Sequence, residues 1–190
     1  MYIDIYVFSD SYAGNIYLNE DDAVKEAKDF AAAVECRWEE VSDVISCKSF
    51  EEVESALLRG DNWTTDRDIL SDILRDFQPL REKAEERYYE EDDFDLKAEE
   101  AKLFQELGKI IEQFASIKTC GIDHSTLSNK LTAMGYQKYS TEFVNAYKLV
   151  NENPLVESAF NSGVIRSRED LEGLVRASNN SAGIKKQRRL

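Results

Sequence analysis

The chain has 190 residues, 42% of them hydrophobic and 11% aromatic, which is enough to build a core and argues against disorder of the whole chain. Residues 1–100 contain 29 acidic and 11 basic side chains, a net charge of −18, whereas residues 101–190 contain 9 and 13, a net charge of +4. A surface as acidic as the first half repels nucleic acid and anionic membranes, so any contact with DNA is expected to involve the C-terminal half.

The cysteine content and the apolar runs indicate the cellular compartment. There are three cysteines, an odd number, and no basic and apolar leader opens the sequence. No apolar run approaches the length that spans a bilayer. We therefore expect a reducing, cytoplasmic location with no membrane partner.

The N-terminal pattern predicts a β-hairpin followed by a helix. Residues 2–8 alternate and are rich in β-branched and aromatic side chains, and turn-forming residues separate them from the short apolar run 16–18. Asn19 can cap a helix whose first turn carries three carboxylates, and this helix is expected to end near Val34.

A third strand and a second helix are expected to complete the first domain. Residues 38–46 contain enough β-branched side chains for a strand. Ser49 and Glu52 have the spacing of a capping box, and Gly60 can terminate the helix that this box begins. The result is a small β-β-α-β-α unit, predicted as a domain over residues 1–62.

The next segment, 63–102, is predicted to be an acidic helical connector. A helix can begin at residues 65–68, present one apolar face and break at Pro79. Residues 81–91 are very polar, and they lead into five carboxylates within the six residues 90–95.

Helices are expected to dominate from residue 103 onward. Five large apolar residues recur there at alternating steps of four and three: Leu103, Leu107, Ile110, Phe114 and Ile117. This stripe can pack within the monomer, which we favour, or across a homodimer. A second stripe over 143–150 and two or three short helices would complete a module over 103–178, followed by a basic tail at 179–190. The predicted fold class is α+β, predominantly α-helical.

One segment of this module has the order of a DNA-binding motif. Gly121 stands where a turn needs positive φ, Asp123 can cap the helix that follows, and Leu127 and Leu131 would face inward. Residues 103–136 thereby resemble a helix-turn-helix motif. The resemblance implies DNA contacts by the second helix, or docking to a protein partner, with the basic tail assisting. It assigns base edges to His124, Ser125 and Asn129, phosphates to Thr126, Ser128 and Lys130, and added positive charge to Lys185, Lys186, Arg188 and Arg189.

The acidic run admits two interpretations. Such a run is commonly a solvated loop or helix end, because its charges repel one another. Alternatively, rows of carboxylates can mimic the phosphates of a duplex and occupy the nucleic-acid channel of a DNA- or RNA-binding complex, as anti-restriction and anti-CRISPR proteins of phages and plasmids do. The acidic partner surface would consist of Glu85, Glu86, Glu90, Glu91, Asp92, Asp93, Asp95, Glu99 and Glu100.

The sequence gives little evidence for a catalytic site or a metal site. His124 is the single histidine, so a nucleophile pair or zinc site would have to combine it with Cys120, Cys36 and Cys47, and no closely spaced cysteine pair occurs. Neither a calcium-binding loop nor a glycine-rich phosphate loop is present. We expect a non-enzymatic regulatory or interaction protein without cofactor or metal, with the acidic nucleic-acid mimic as the alternative.

Overall fold

The computed structural model describes residues 1–9, 14–35, 37, 42–59, 65–117 and 123–176. The chain forms two compact units, Met1–Ser116 and Ile117–Leu190. The described residues contain three strands and eight helices, which confirms the predicted α+β, predominantly helical class. The boundaries expected near residues 62 and 102 both lie inside the first unit, and they stay predictions.

The first unit is built on a three-stranded antiparallel sheet. Strand β1 spans Ile3–Ser9, β2 spans Gly14–Tyr17 and β3 spans Ser42–Cys47, in the order β2-β1-β3. Val7 lies opposite Ile16 and is buried with it, so the apolar alternation of β1 faces the core. The predicted hairpin and third strand are confirmed. Residues 10–13 and 38–41, which would join and precede them, lie outside the described residues.

Helix α1, Glu20–Val34, begins and ends where the sequence predicts. Asn19 Oδ1 accepts hydrogen bonds from the backbone N–H groups of Asp21 and Asp22, at 2.8 and 3.3 Å. The buried face of α1 consists of small alanine side chains, which let the helix approach its neighbours closely. The ring of Phe30 packs edge-on against Phe8 of β1, with centroids 5.3 Å apart.

Helix α2, Phe50–Leu57, has the predicted cap with one change of partner. The Ser49 hydroxyl accepts from the N–H of Glu52 at 3.3 Å. The carboxylate of Glu52 returns to the N–H of Lys48 at 2.6 Å, one residue before the cap. The Glu52 carboxylate thus bonds the N–H of Lys48 in place of the Ser49 N–H that a capping box would use. Gly60, the expected stop, lies outside the described residues.

Helix α3 runs from Thr65 to Glu90 without interruption, so the predicted break at Pro79 is wrong. Proline inside a helix costs about 3 kcal/mol, because it removes one backbone hydrogen bond and crowds the preceding turn. Tertiary packing offsets this cost, since Phe77 and Ala84 are buried on either side of the proline. Arg81 adds ion pairs to α2, at 2.5 Å to Glu51 and 2.8 Å to Glu54.

Helix α4, Leu96–Ala115, packs against α3 and confirms most of the predicted apolar stripe. Leu103, Leu107 and Phe114 are buried, as is Ile117 beyond the helix end. Ile110 is only half-buried, and the adjacent Ile111 takes the core position. The covered face is therefore rotated toward Ile111, because α4 must meet both α3 and the sheet.

The second unit consists of short helices. They are α5, His124–Ala133; α6, Thr141–Glu152; α7, Pro154–Asn161; and α8, over 168–176. The predicted stripe of α6 is confirmed, since Phe143, Ala146, Tyr147 and Val150 are fully buried. No helix in the described ranges combines the length and apolarity that crossing a membrane requires.

Candidate functional site

The acidic residues expected to bind a partner lie on one helical hairpin. We call residues 85–100 the acidic hairpin: they comprise the last turns of α3, the connecting residues 91–95 and the first turn of α4. Glu99 and Glu100 are half-buried. The remaining seven carboxylates are exposed: Glu85, Glu86, Glu90, Glu91, Asp92, Asp93 and Asp95.

Arg87 holds the connecting turn in place. Its Nε and Nη2 atoms donate to the two carboxylate oxygens of Glu91 at 2.9 and 3.0 Å. Its guanidinium also lies 4.3 Å from the ring centroid of Phe94. The hydrogen bond from Arg87 lowers the pKa of Glu91, and the same contact raises the pKa of Arg87. One arginine thereby neutralises one carboxylate and orders the turn.

Backbone hydrogen bonds complete the turn. The N–H of Phe94 donates to the carbonyl of Glu91 at 3.2 Å, and Asp95 Oδ1 accepts from the N–H of Ala98 at 3.1 Å, which caps α4. Capping and the positive end of the α4 dipole both favour a carboxylate at position 95. Asp95 thus has a structural role in addition to its charge.

Most of the remaining charge of the hairpin is not neutralised by the protein. Glu85, Glu86, Glu90, Asp92 and Asp93 form no ion pair within the part of the chain that the structure describes. Exposed carboxylates without counter-charges produce a negative potential that extends about 8–10 Å at physiological ionic strength. This surface can attract a basic partner before contact.

Two exposed tyrosines interrupt the carboxylates. Tyr88 is 52% exposed and Tyr89 is 85% exposed, and their rings meet edge to face with centroids 5.5 Å apart. Sequence reasoning did not single them out. The sequence gives no clear signal for their exposure, since adjacent helical residues such as Leu103 and Phe104 are both buried in α4.

The helix-turn-helix residues divide between core and surface. Ser125, Thr126, Asn129 and Lys130 are exposed on α5. By contrast, His124 and Ser128 are each only 1% exposed, so these two side chains are in the core and not on the surface where a groove contact would require them. Helical spacing explains their burial. Steps of three and four residues place His124 and Ser128 on the same face of α5 as the buried Leu127 and Leu131.

Local contacts account for the cap and for one exposed cation of α5. The Asp123 carboxylate caps the helix by accepting from the N–H of Thr126 at 2.8 Å, and this hydrogen bond lowers the Asp123 pKa. Lys130 Nζ lies 5.3 Å from the ring centroid of Phe160. The Gly121 turn and the four basic tail residues, Lys185, Lys186, Arg188 and Arg189, lie outside the described residues. The motif geometry therefore stays a prediction.

The described residues bring together no group of three or more His, Cys, Asp or Glu side chains suited to a metal ion. Cys36 and Cys120 lie outside the described ranges. Cys47 is a buried free thiol whose pKa burial raises to about 11. Comparison with protein-family models, with curated proteins and with solved structures gives no match, so function has to be inferred from the residues of this chain.

Proposed function

We propose that this is a non-enzymatic interaction protein whose acidic hairpin binds the basic surface through which a partner protein holds nucleic acid. One observation carries the proposal: on the acidic hairpin, carboxylates without ion pairs in the described residues flank an exposed tyrosine pair. The protein would act as a competitor of nucleic acid, as an inhibitor of phage or plasmid origin does.

The charge density of the hairpin supports this assignment. Residues 85–91 extend over roughly 9 Å of helix axis, at 1.5 Å per residue. That length of duplex carries about five phosphate charges, at one per 1.7 Å of axis. Over the same length α3 carries three exposed carboxylates, and the turn adds four more, of which Glu91 is paired with Arg87. A basic groove built for phosphates would therefore meet a similar density of negative charge.

The tyrosine pair supports a protein partner in particular. Tyrosine is enriched among the residues that contribute most to protein–protein binding, because it buries a large rigid surface at low entropic cost and keeps a hydrogen-bonding group. Charge gives steering and selectivity, whereas desolvated aromatic surface gives affinity. Tyr88 and Tyr89 are placed to supply that second contribution beside the carboxylates.

A displacement experiment tests the proposal. Purified DNA- and RNA-binding proteins of several folds are each loaded with a fluorescent oligonucleotide, and the chain is titrated in while anisotropy is recorded. We expect displacement for a subset of partners, and expect the triple variant E90Q/D92N/D93N to lose most of it. Tyr89→Ala should also weaken displacement, whereas Tyr89→Phe should retain it.

The matched control separates the hairpin from net charge. The variant E26Q/D29N/E35Q removes three exposed carboxylates of the α1 region and changes net charge by the same amount. It should displace as well as the unmodified chain. Equal loss of displacement in both triple variants would mean that net charge, and not the hairpin, causes displacement. If the chain displaced the oligonucleotide from no partner, the proposal would be rejected.

A second candidate function rests on α5. Four exposed side chains, Ser125, Thr126, Asn129 and Lys130, follow the cap at Asp123 on one short helix, as a DNA-reading helix requires. Asparagine can bond adenine through two hydrogen bonds, and Lys130 can meet a phosphate. Without His124 and Ser128 this contact is small, and the basic tail would have to supply most of the affinity.

Titration against random duplex DNA tests this candidate. Binding that falls as salt rises, and that weakens in N129A/K130A, would support it. Binding unchanged by that double variant would exclude α5 as the DNA-reading element. Sedimentation of the same samples tests the homodimer, since helix-turn-helix proteins commonly read paired half-sites as dimers.

A further inference from the structure

A cleft of about 210 Å³ lies between the start of β1 and α4, within the first unit. Tyr2, Asp4 and Tyr6 line it from the strand side, at alternate positions that place them on one face of an extended segment. Gly108 and Glu112 line it from α4, four residues apart and therefore on one face of the helix. The cleft is separate from the acidic hairpin and from α5.

Gly108 leaves room beside α4 for the Met1 side chain, which is part of the lining of this cleft. A Cβ atom built at position 108 would collide with the terminal methyl group of Met1, which also lines the cleft, and would lie 3.5 Å from Ile3 Cγ1. Glycine thus lets the Met1 side chain lie directly against α4. Leu18 and Ile111 add apolar side chains to the lining.

The polar part of the lining is negative. Asp4 and Glu112 contribute carboxylates, and none of the described residues that line the cleft is Lys or Arg. Asp4 Oδ1 accepts from the Ser46 hydroxyl at 2.6 Å, which fixes its position. Burial raises the pKa of the Tyr6 phenol, and the charges of Glu20 and Asp4 raise it further, so the field of Asp4 reaches this ring.

Tyr2 already has a cation at its ring. Lys48 Nζ lies 5.8 Å from the centroid of that ring, within the range of a cation–π interaction. Lys48 itself does not line the cleft. The ring of Tyr2 is therefore accessible to an ammonium group.

We propose that this cleft binds a methylated ammonium cation, with Tyr2 and Tyr6 supplying aromatic faces and Asp4 and Glu112 supplying the counter-charge. Aromatic rings combined with acidic groups are the usual recognition chemistry for such cations. A methylated ammonium fits better than a primary amine because its methyl groups can contact the apolar side chains of the lining, such as Leu18 and Ile111, whereas a primary ammonium is compact and strongly hydrated. The site goes beyond the proposed docking function and does not depend on it.

Tetramethylammonium chloride is the first probe, with sodium chloride at equal concentration as the control for ionic strength. Binding is followed by NMR through the amide shifts of residues 2–6 and 108–115. We expect saturable shifts that localise to these residues and that sodium does not produce. Shifts that rise linearly without saturation, or that spread over the surface, would overturn the proposal.

Variants identify the groups responsible. Tyr6→Ala should weaken binding roughly threefold or more, while Tyr6→Phe should bind as the unmodified chain does. Glu112→Gln, which keeps the size of the side chain, should weaken it too. Equal affinity in Tyr6→Ala and Tyr6→Phe, or in Glu112→Gln and the unmodified chain, would remove the basis of the site.

The source of the cation is decided by a second titration. Choline and a short peptide carrying trimethyllysine are compared, each against its unmethylated counterpart. Tighter binding of choline would indicate a free quaternary amine, and tighter binding of the peptide would indicate a modified protein. Indifference to methylation in both pairs would contradict the proposal. Tyr89→Ala, which alters only the hairpin, should leave all of these affinities unchanged, so a failure here is distinct from a failure of docking.

Discussion

His124 Nδ1 lies 3.0 Å from the phenolic oxygen of Tyr147, and both side chains are buried in the second unit. Their ring centroids are 5.5 Å apart. This pair ties the first residue of α5 to the middle of α6. The one histidine of the chain is therefore part of a core, which explains why it does not lie with the exposed residues of α5.

The pair predicts a cost for removing the hydroxyl. Tyr147→Phe keeps the ring but deletes one partner of a buried hydrogen bond, so it should destabilise the second unit by about 1–2 kcal/mol. Hydrogen exchange at the α5 and α6 amides measures this without contribution from the first unit. Tyr88→Phe, which removes an exposed hydroxyl, should leave exchange unchanged. Equal protection in both variants would show that the His124–Tyr147 bond adds no stability.

Asp66 predicts a pH dependence in the first unit. Its Oδ2 accepts from the N–H of Leu18 at 2.9 Å, which favours the charged form, but burial, aided by the charge of Asp22, outweighs this and raises the Asp66 pKa. A folded-state pKa above the unfolded value means that folding binds the proton more tightly. The stability contributed by Asp66 is therefore present below its ordinary pKa and is lost as pH rises through the raised value.

Asp66→Asn tests this sign. Asparagine keeps an acceptor for the Leu18 N–H and carries no charge, so the variant should gain stability relative to the unmodified chain as pH increases from about 4 to 7. Urea unfolding at several pH values gives the difference. Asp29→Asn, at an exposed position, controls for net charge. A difference that shrinks with rising pH would reverse the conclusion.

Pro79 predicts a stabilising substitution. Pro79→Ala restores a backbone N–H inside α3 and removes the steric conflict, so the free energy of unfolding should rise by about 1–2 kcal/mol, after allowing for the greater entropy of the unfolded variant. Urea unfolding followed by circular dichroism measures it. Gln78→Ala, on the preceding residue, should change stability little. Destabilisation by Pro79→Ala would mean that the ring itself makes contacts that α3 needs.

Cys47 predicts slow thiol chemistry. When Cys36 and Cys120 are replaced by serine, Cys47 is the one thiol that can react with the reagent. Its pKa of about 11, against 9.0 for the free thiol, lowers the thiolate fraction at pH 8 about a hundredfold, and burial restricts access further. Reaction with a disulfide reagent should thus be at least that much slower in the folded protein than in guanidinium. Similar rates in the two conditions would show that the Cys47 region opens readily.

Helix beginnings could be predicted from sequence because each cap is satisfied within a few residues. Asn19, Ser49 and Asp123 all cap the helices expected of them, through bonds to N–H groups two or three residues later. No distant part of the chain is involved in these contacts. The acidic surface could be predicted for a similar reason, since closely spaced carboxylates repel one another and remain in water.

Features that depend on neighbours from distant sequence could not be predicted. Whether Pro79 ends a helix depends on packing around Phe77 and Ala84, which the local pattern does not reveal. The exposed tyrosine pair also depends on what covers the end of α3. The burial of His124 could not be predicted from the helix-turn-helix resemblance. A motif specifies residue types, but it does not specify which face of α5 the other helices cover.

The sequence by itself determined the helix caps, the N-terminal hairpin, the mostly helical α+β class and the acidic character of the first half, because local hydrogen bonds, side-chain periodicity and charge are properties of neighbouring residues. Only the tertiary structure decided that His124 and Ser128 are buried, that Tyr88 and Tyr89 are exposed among carboxylates and that a cleft forms beside Gly108. Burial is the physical reason, since it is set by which surfaces meet when elements far apart in the chain pack together.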